Sequence, residues 1–339
     1  LVGLKFDSLP RFSVLAGPAG IGKTRFLLEN FSELLQKSPR PFERGILYLL
    51  PSAEHRERVV DLMLRKDLKV FFGERVTTFN RLMQERLKTG DFSLITDAER
   101  QFLLSEILSS GEKGYFSDAA VFPGLLQKIS EFIGELKESL VPLDSFRQRA
   151  KVLEKKRPEF SEKYRSLVEI YTSYESKLEA LGIRDYRDSL FLLKSSFQPA
   201  PVFRHLFLDG FFDFSRSQLE FLGWLMKCSE KVTLALTLDL SKERAGLFEI
   251  PRETLKELEK LGFETVDISQ MKNYRTTSRA LQNVEKNLFW EGPSLSTAVP
   301  EAPDSLLMLE ATGIRGEVEM IAGEIRRLMG EADRSGRPY

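Results

Sequence analysis

Residues 12–35 read Phe12-Ser-Val-Leu-Ala16, then Gly17-Pro-Ala-Gly-Ile-Gly-Lys-Thr24, then Arg25-Phe-Leu-Leu-Glu-Asn-Phe-Ser-Glu-Leu-Leu35. The first segment is a short apolar run closed by glycine, and the third sets Phe26, Leu27, Leu28, Phe31, Leu34 and Leu35 at helical spacing. The order is therefore strand, glycine turn, helix, which is the context that the complete G-x-x-x-x-G-K-[ST] of the middle segment requires. Each residue type there has a chemical use. Gly17, Gly20 and Gly22 let the backbone turn its N–H groups inward around phosphate oxygens, and the helix N-terminus adds a positive dipole end. Lys23, expected as a solvated loop cation without core contacts, suits the β and γ phosphates of ATP, and the Thr24 hydroxyl suits a bound Mg2+. A glycine-rich turn that only caps a helix is the structural alternative.

Outward from this stretch, Gly45 to Leu50 is a second continuous apolar run, stopped by Pro51 and Ser52 and followed by helical spacing from Glu54 to Arg65. Leu206 to Asp209 and Val232 to Leu238 have the same buried-strand character, with a helix from Ser217 to Cys228 between them. Alternating strands and helices of this kind imply an α/β fold, a parallel sheet with helices on both faces. Between residues 86 and 198 the strand signal disappears. Leu125, Ile129, Phe132, Ile133, Leu136 and Leu140 make one helical stripe, and Tyr164, Leu167, Val168, Tyr171, Tyr174, Leu178 and Leu181 another. An all-helical insertion is expected, with its exit at Gln198-Pro-Ala-Pro201. A helix from Arg252 to Leu261 and a strand from Phe263 to Ile268 then close the first lobe, Glu291 to Asp304 reads as a loop, and Glu317 to Met329 as a final amphipathic helix. The expected domains are 1–85 with 199–270, the insertion 86–198, and the start of a second lobe at 271–339.

A chain of 339 residues holds two or three domains. With 42% hydrophobic and 29% charged residues it lies outside the disordered, collagen-like and disulfide-scaffold classes. No apolar run approaches the roughly 20 residues that span a bilayer, so no membrane partner is expected. Fifty Lys plus Arg balance fifty Asp plus Glu, so any nucleic acid must meet a local patch rather than a long-range field. Cys228 cannot form an internal disulfide, and with His55 and His205 alone beside it there is no zinc ligand set; a reducing cytoplasm is the expected compartment. The ends, without an initiator Met or an export signal, read as those of a piece trimmed from a longer chain.

A phosphate-binding loop that uses Mg2+ also needs an acid at the end of a neighbouring strand, and Asp209 is the candidate, with a turn or capping aspartate as the alternative. Motor ATPases usually carry a Glu directly after this Asp to polarise the attacking water, and here that position is Gly210. Asp213, four residues on from Asp209, is a poor substitute. Gln218 is a candidate nucleotide contact, yet Ser215-Arg-Ser-Gln218 is also a good capping box.

With these pieces in order the chain resembles the superfamily-one DNA helicases of the UvrD type, whose lobes are P-loop, RecA-like sheets. It is more closely similar to the N-terminal part of the AddB or RexB type of subunit in the bacterial ATP-dependent helicase/deoxyribonuclease. Beyond the glycine loop, Ile46-Leu-Tyr-Leu-Leu-Pro51, Val76-Thr-Thr-Phe-Asn-Arg-Leu82, and Leu208-Asp-Gly-Phe-Phe-Asp-Phe214 with Gln218 carry the resemblance, as do Asn273-Tyr-Arg-Thr-Thr277 and the helix from Glu317 to Met329. It implies ATP and Mg2+ as cofactors, DNA (single-stranded or a duplex end) as a partner, and a motor helicase-nuclease subunit of the AddA type as another, in double-strand-break processing and recombination repair. It also implies a nuclease with iron–sulfur cysteines beyond this stretch. In active motors of the resemblance, the Arg at position 275 reaches the γ-phosphate; a surface Arg before a helix is the other reading of Arg275. Ser52, Thr78, Phe79 and Asn80 are the candidate DNA contacts, since hydroxyl and amide groups meet phosphates and Phe can stack on a base. Ser52 as a helix cap and Phe79 as a core residue stand beside those roles. Gly210, and the absence of a Gln in Leu238-Asp-Leu-Ser241, imply a weak or inactive motor. The alternatives are an active DNA-dependent ATPase, a helicase-like scaffold independent of nucleotide, and a small-molecule P-loop kinase.

Overall fold

The computed structural model describes residues 4–37, 45–66, 75–87, 93–110, 114–119, 123–188, 203–240, 244–275, 278–292 and 307–335. Gln198 to Pro201, most of the loop to Asp304, and Thr276 and Thr277 lie outside the described residues.

The apolar runs form strands β1 (Phe12–Gly17), β2 (Ile46–Leu50), β6 (Phe203–Leu208) and β7 (Ser229–Thr237), joined by β3 (Val76–Thr78) and β8 (Glu264–Asp267). All pair in parallel, in the order β3-β2-β6-β7-β1-β8. Because successive side chains of a strand point to opposite faces, each run feeds two cores. Leu15, Tyr48, Phe207 and Ala235 pack on helices α1 (Lys23–Lys37) and α2 (Ala53–Lys66), through Phe26, Phe31, Val59 and Met63. Val14, Leu49, Leu208 and Leu234 pack on the opposite face. Their partners are α3 (Phe79–Leu87), α8 (Arg216–Lys227) and α9 (Glu249–Lys260), through Leu82, Phe221 and Leu258. Burial on both faces is why these strands read as continuous apolar runs rather than alternating ones.

The described residues between β3 and β6 are mainly helical: α4 (Asp97–Ser110), α5 (Pro123–Glu138), α6 (Leu143–Lys156) and α7 (Ser161–Leu181) enclose a separate core around Leu104, Ile129, Ile133, Phe146 and Tyr174. Two strands were not expected there. β4 (Ser93–Leu94) and β5 (Ile183–Arg184) pair in parallel, each two residues long and so too short to show a period in sequence.

This helical core contains a buried ionic network. Arg100 donates from Nη2 to Asp185 Oδ1 at 2.9 Å, Tyr174 donates its hydroxyl to Asp185 Oδ2 at 2.8 Å, and the Arg187 amide adds a third donor. Burial alone would raise the Asp185 carboxyl, but Arg100, then Lys137, outweigh it and hold it below the usual carboxylate range. Asp185→Ala leaves Arg100 without its buried anion and with the exposed Asp97 carboxylate on Nη1, and a stability loss of about 3–5 kcal/mol is expected, readable in a thermal melt. A loss below about 1 kcal/mol would mean that water or Asp97 replaces the partner.

The chain divides into two compact units, Leu1–Leu240 with Phe248–Lys272, and Ser241–Leu247 with Asn273–Tyr339. The described residues of the second hold α10 (Arg279–Asn287), capped by the Ser278 hydroxyl, and α11 (Ile314–Ser335). Arg244 pairs with Glu285 at 3.3 Å beside α10.

Candidate functional site

A parallel sheet gathers the carboxyl ends of its strands along one edge, where ligands of open α/β sheets bind. Here that edge receives Gly17 from β1, Pro51 and Ser52 after β2, Thr78 from β3 and Asp209 after β6. The loop from Gly17 to Lys23 needs its glycines for identifiable reasons. Gly20 and Gly22 have φ of +85° and +91°, the left-handed region. A Cβ on Gly17 would lie 2.5 Å from Ile21 Cδ1 and 3.0 Å from Ile268 Cγ1. The Phe26 amide donates to Gly22 O, so α1 starts directly behind the loop with Thr24 half-buried in its first turn.

Lys23 is not the solvated cation expected. It is 7% exposed, and its Nζ donates to Gly17 O and Pro18 O, each at 2.7 Å. The loop wraps its own carbonyls around the ammonium, engaging two of its three N–H donors. Burial pushes Lys23 down to about 8, against the opposing pull of the Asp209 charge.

Asp209 is buried at the same edge, but β6 is not the immediate neighbour of β1, because β7 lies between them. The electrostatic effect of Asp209 on Lys23 nevertheless reaches across that one strand. Its amide donates to Leu49 O on β2; its Oδ1 accepts from the Gly210 amide at 3.0 Å, and its Oδ2 from the Tyr48 hydroxyl at 2.9 Å. Gly210 itself has φ of +81°.

The remaining candidates divide. Gln218 is engaged in the capping box of α8: its amide donates to Ser215 Oγ and its Oε1 accepts from the Ser215 amide. The Ser52 hydroxyl accepts from the His55 amide and stands 2.9 Å from His55 Nδ1, and Thr78 Oγ1 accepts from the Arg81 amide, so both also cap helices. Asn80 is exposed. Phe79 is corrected: at 1% exposure it lies in the core, edge-on to Phe211, Phe214 and Phe221, with no face left for a base. The aromatic side chain that stands free on this edge is Phe212, 59% exposed, in the loop after Asp209. Arg275 is exposed and belongs to the second unit, where its amide donates to Asn273 Oδ1.

Tyr48, which bonds Asp209, and Phe212, exposed in the loop after it, are not singled out by the sequence reading. For Tyr48 a signal existed, since a hydroxyl in the middle of an apolar run needs a buried partner. For Phe212 none existed, because Phe211, Phe212 and Phe214 are indistinguishable before the loop is folded.

The family model described as ADDB, N-terminal, matches residues 14–288, which includes the glycine loop, the Asp209 strand and the helices between. The chain belongs to this ADDB N-terminal family. The B subunit of the ATP-dependent helicase/deoxyribonuclease from Desulforudis audaxviator is 28% identical over 336 residues, covering 94% of this chain and 28% of that protein. The proteins of the same name from Listeria monocytogenes and Bacillus licheniformis are 25% and 27% identical, each over 93% of this chain and 28% of their own length. The ADDB N-terminal chain thus spans somewhat over a quarter of the relatives it matches. Among its described residues no helix is long and apolar enough to cross a membrane.

Proposed function

We propose that this chain is the ATP-binding, DNA-contacting N-terminal part of a helicase-nuclease subunit for double-strand-break processing, weak or inactive as a motor. The observation that supports it is that Lys23 and Asp209 share the carboxyl edge of the sheet, with the Asp209 charge acting on the amine, beside a loop that turns through the left-handed Gly20 and Gly22. In this reading the amides from Ala19 to Thr24 face the phosphates, Lys23 releases the Gly17 and Pro18 carbonyls to meet them, and Thr24 and Asp209 would hold Mg2+. The ion, when bound, neutralises charge on the β and γ oxygens. The domains follow the same reading: a nucleotide-binding lobe of 1–85 with 199–270, the insertion 86–198 and a second lobe from 271. The partner subunit is a motor of the AddA type, and the compartment the cytoplasm.

For DNA, Ser52, Thr78, Asn80 and Phe212 line the strand-end edge in place of Phe79. Calorimetry with a non-hydrolysable ATP analogue tests the nucleotide half; failure of the folded chain to bind would favour the nucleotide-independent scaffold, a reading that the engagement of Lys23 with its own loop also supports. Fluorescence anisotropy with labelled single-stranded DNA tests the other half. Phe212→Ala should weaken binding by about 5- to 150-fold, the worth of one stacked base at 1–3 kcal/mol, with an unchanged melt. Phe79→Ala should instead cost about 3–5 kcal/mol of stability. Wild-type DNA affinity in Phe212→Ala would take that loop off the DNA path.

A further inference from the structure

We infer that Tyr48 is a positioning residue for Asp209, setting from inside the sheet the carboxylate that is to meet Mg2+ and nucleotide. The inference rests on the nucleotide-site reading above and names a residue whose type alone did not mark it. Tyr48 is fully buried in the middle of β2, and its hydroxyl donates to Asp209 Oδ2 at 2.9 Å across 161 residues of sequence. The Gly210 amide takes the other oxygen, so each carboxylate oxygen has a protein donor. A carboxylate tied at both oxygens keeps one orientation, and outer-shell partners of this kind hold metal ligands in place.

The ring that carries the hydroxyl is itself clamped. Phe207 stacks on it with centroids 6.1 Å apart at 13°, and Phe31 meets it edge-on at 5.4 Å and 69°. Phe31 lies two turns into α1, the helix that begins at Lys23 and Thr24, and Phe207 lies on β6, two residues before Asp209. One side chain therefore links the helix bearing Lys23 and Thr24 to the strand bearing the acid. Burial first, then the charge and hydrogen bond of Asp209, hold the phenol well above its ordinary value, so it remains a donor. The ring makes the packing contacts with Phe207 and Phe31, and the hydroxyl makes the bond to Asp209.

Tyr48→Phe removes that donor and keeps the ring. In the full chain, affinity for an ATP analogue is measured in EDTA and across a Mg2+ titration, with a circular-dichroism melt alongside. The Mg2+-free affinity should be unchanged, while the Mg2+ concentration for half-saturation should rise by about tenfold or more. On an Asp209→Asn background the same substitution should add nothing to the Mg2+ response, which a purely structural role would not produce. An unaltered Mg2+ titration, an equal loss in both backgrounds, or a Tyr48→Phe chain that does not fold would each overturn the assignment. An unaltered protein that binds the analogue without regard to Mg2+ would overturn it too and leave the nucleotide site standing; one that binds no analogue would overturn both.

Discussion

Lys23→Ala should remove most ATP affinity, and high pH should do the same to the unaltered protein. Truncating one partner of a buried, hydrogen-bonded charge pair costs about 2–5 kcal/mol, or roughly 30- to 4000-fold in affinity. The alanine chain should still fold, because Gly17 O keeps the bond it accepts from the Leu238 amide. Burial sets Lys23 at about 8, below the 10.5 of an ordinary lysine. The folded chain therefore sheds this proton before the unfolded chain does. The cost of burying the charged amine is present in full below about pH 8, and is relieved as pH rises from there toward 10.5, so this group alone makes stability rise across that window. Nucleotide binding has the opposite sign. Phosphate favours the charged amine, so above about pH 8 each binding event takes up a proton and affinity falls, approaching tenfold per unit of pH. Calorimetry at about pH 9 in two buffers of different ionisation enthalpy reads this directly, with uptake approaching one proton in the unaltered chain and none in Lys23→Ala. Affinity that stays flat across the window would remove Lys23 from the phosphate site.

That pH response was not legible in the sequence, although Lys23 was. The motif specifies a lysine after glycine, but it does not say which protein groups surround the amine. The loop's own carbonyls do, and only the folded turn at Gly20 and Gly22 aims Gly17 O and Pro18 O at Nζ. The sheet was far more readable. Gly45 to Leu50, Leu206 to Asp209 and Val232 to Leu238 announced buried parallel strands because both faces of each are covered, and β2, β6 and β7 appear at those places. Strand order was not readable, since it depends on which crossover brings β7 between β6 and β1, and no local pattern encodes that choice.

Phe79 and Gln218 show the same divide at single residues. The capping box at Ser215 and Gln218 is a local device, complete within four residues, and it forms as the spacing indicates. Phe79 is local only in part. It opens α3 directly behind a three-residue strand, and what buries it is the aromatic loop from Phe211 to Phe214, more than 130 residues later. Contact across such a separation decides which of several phenylalanines is left facing solvent.

Gly210→Glu, which restores the residue that motor ATPases carry after their aspartate, should lower stability and bring no gain in ATP turnover. A general base is worth about 10²–10⁴ in rate, so an unobstructed site that merely lacked the side chain should respond strongly. This position is obstructed by its backbone. Gly210 has φ of +81°, and a side chain in the left-handed region costs about 1–2 kcal/mol before any packing is counted. A Cβ there would also lie 3.3 Å from His55 Cδ2, slightly tighter than ordinary contact, and 3.4 Å from Pro51 Cδ. Relieving the strain would rotate the peptide whose amide donates to Asp209 Oδ1, and so disturb the acid that the new glutamate was meant to assist. Gly210→Ala separates the two effects: it should carry the same loss in the melt as Gly210→Glu, with the same slow hydrolysis, because the strain and not the carboxylate sets the outcome. A Gly210→Glu chain that melts with the unaltered protein and hydrolyses ATP about a hundredfold faster would show that the loop relaxes freely and that only the missing carboxylate had kept this site from acting as a motor.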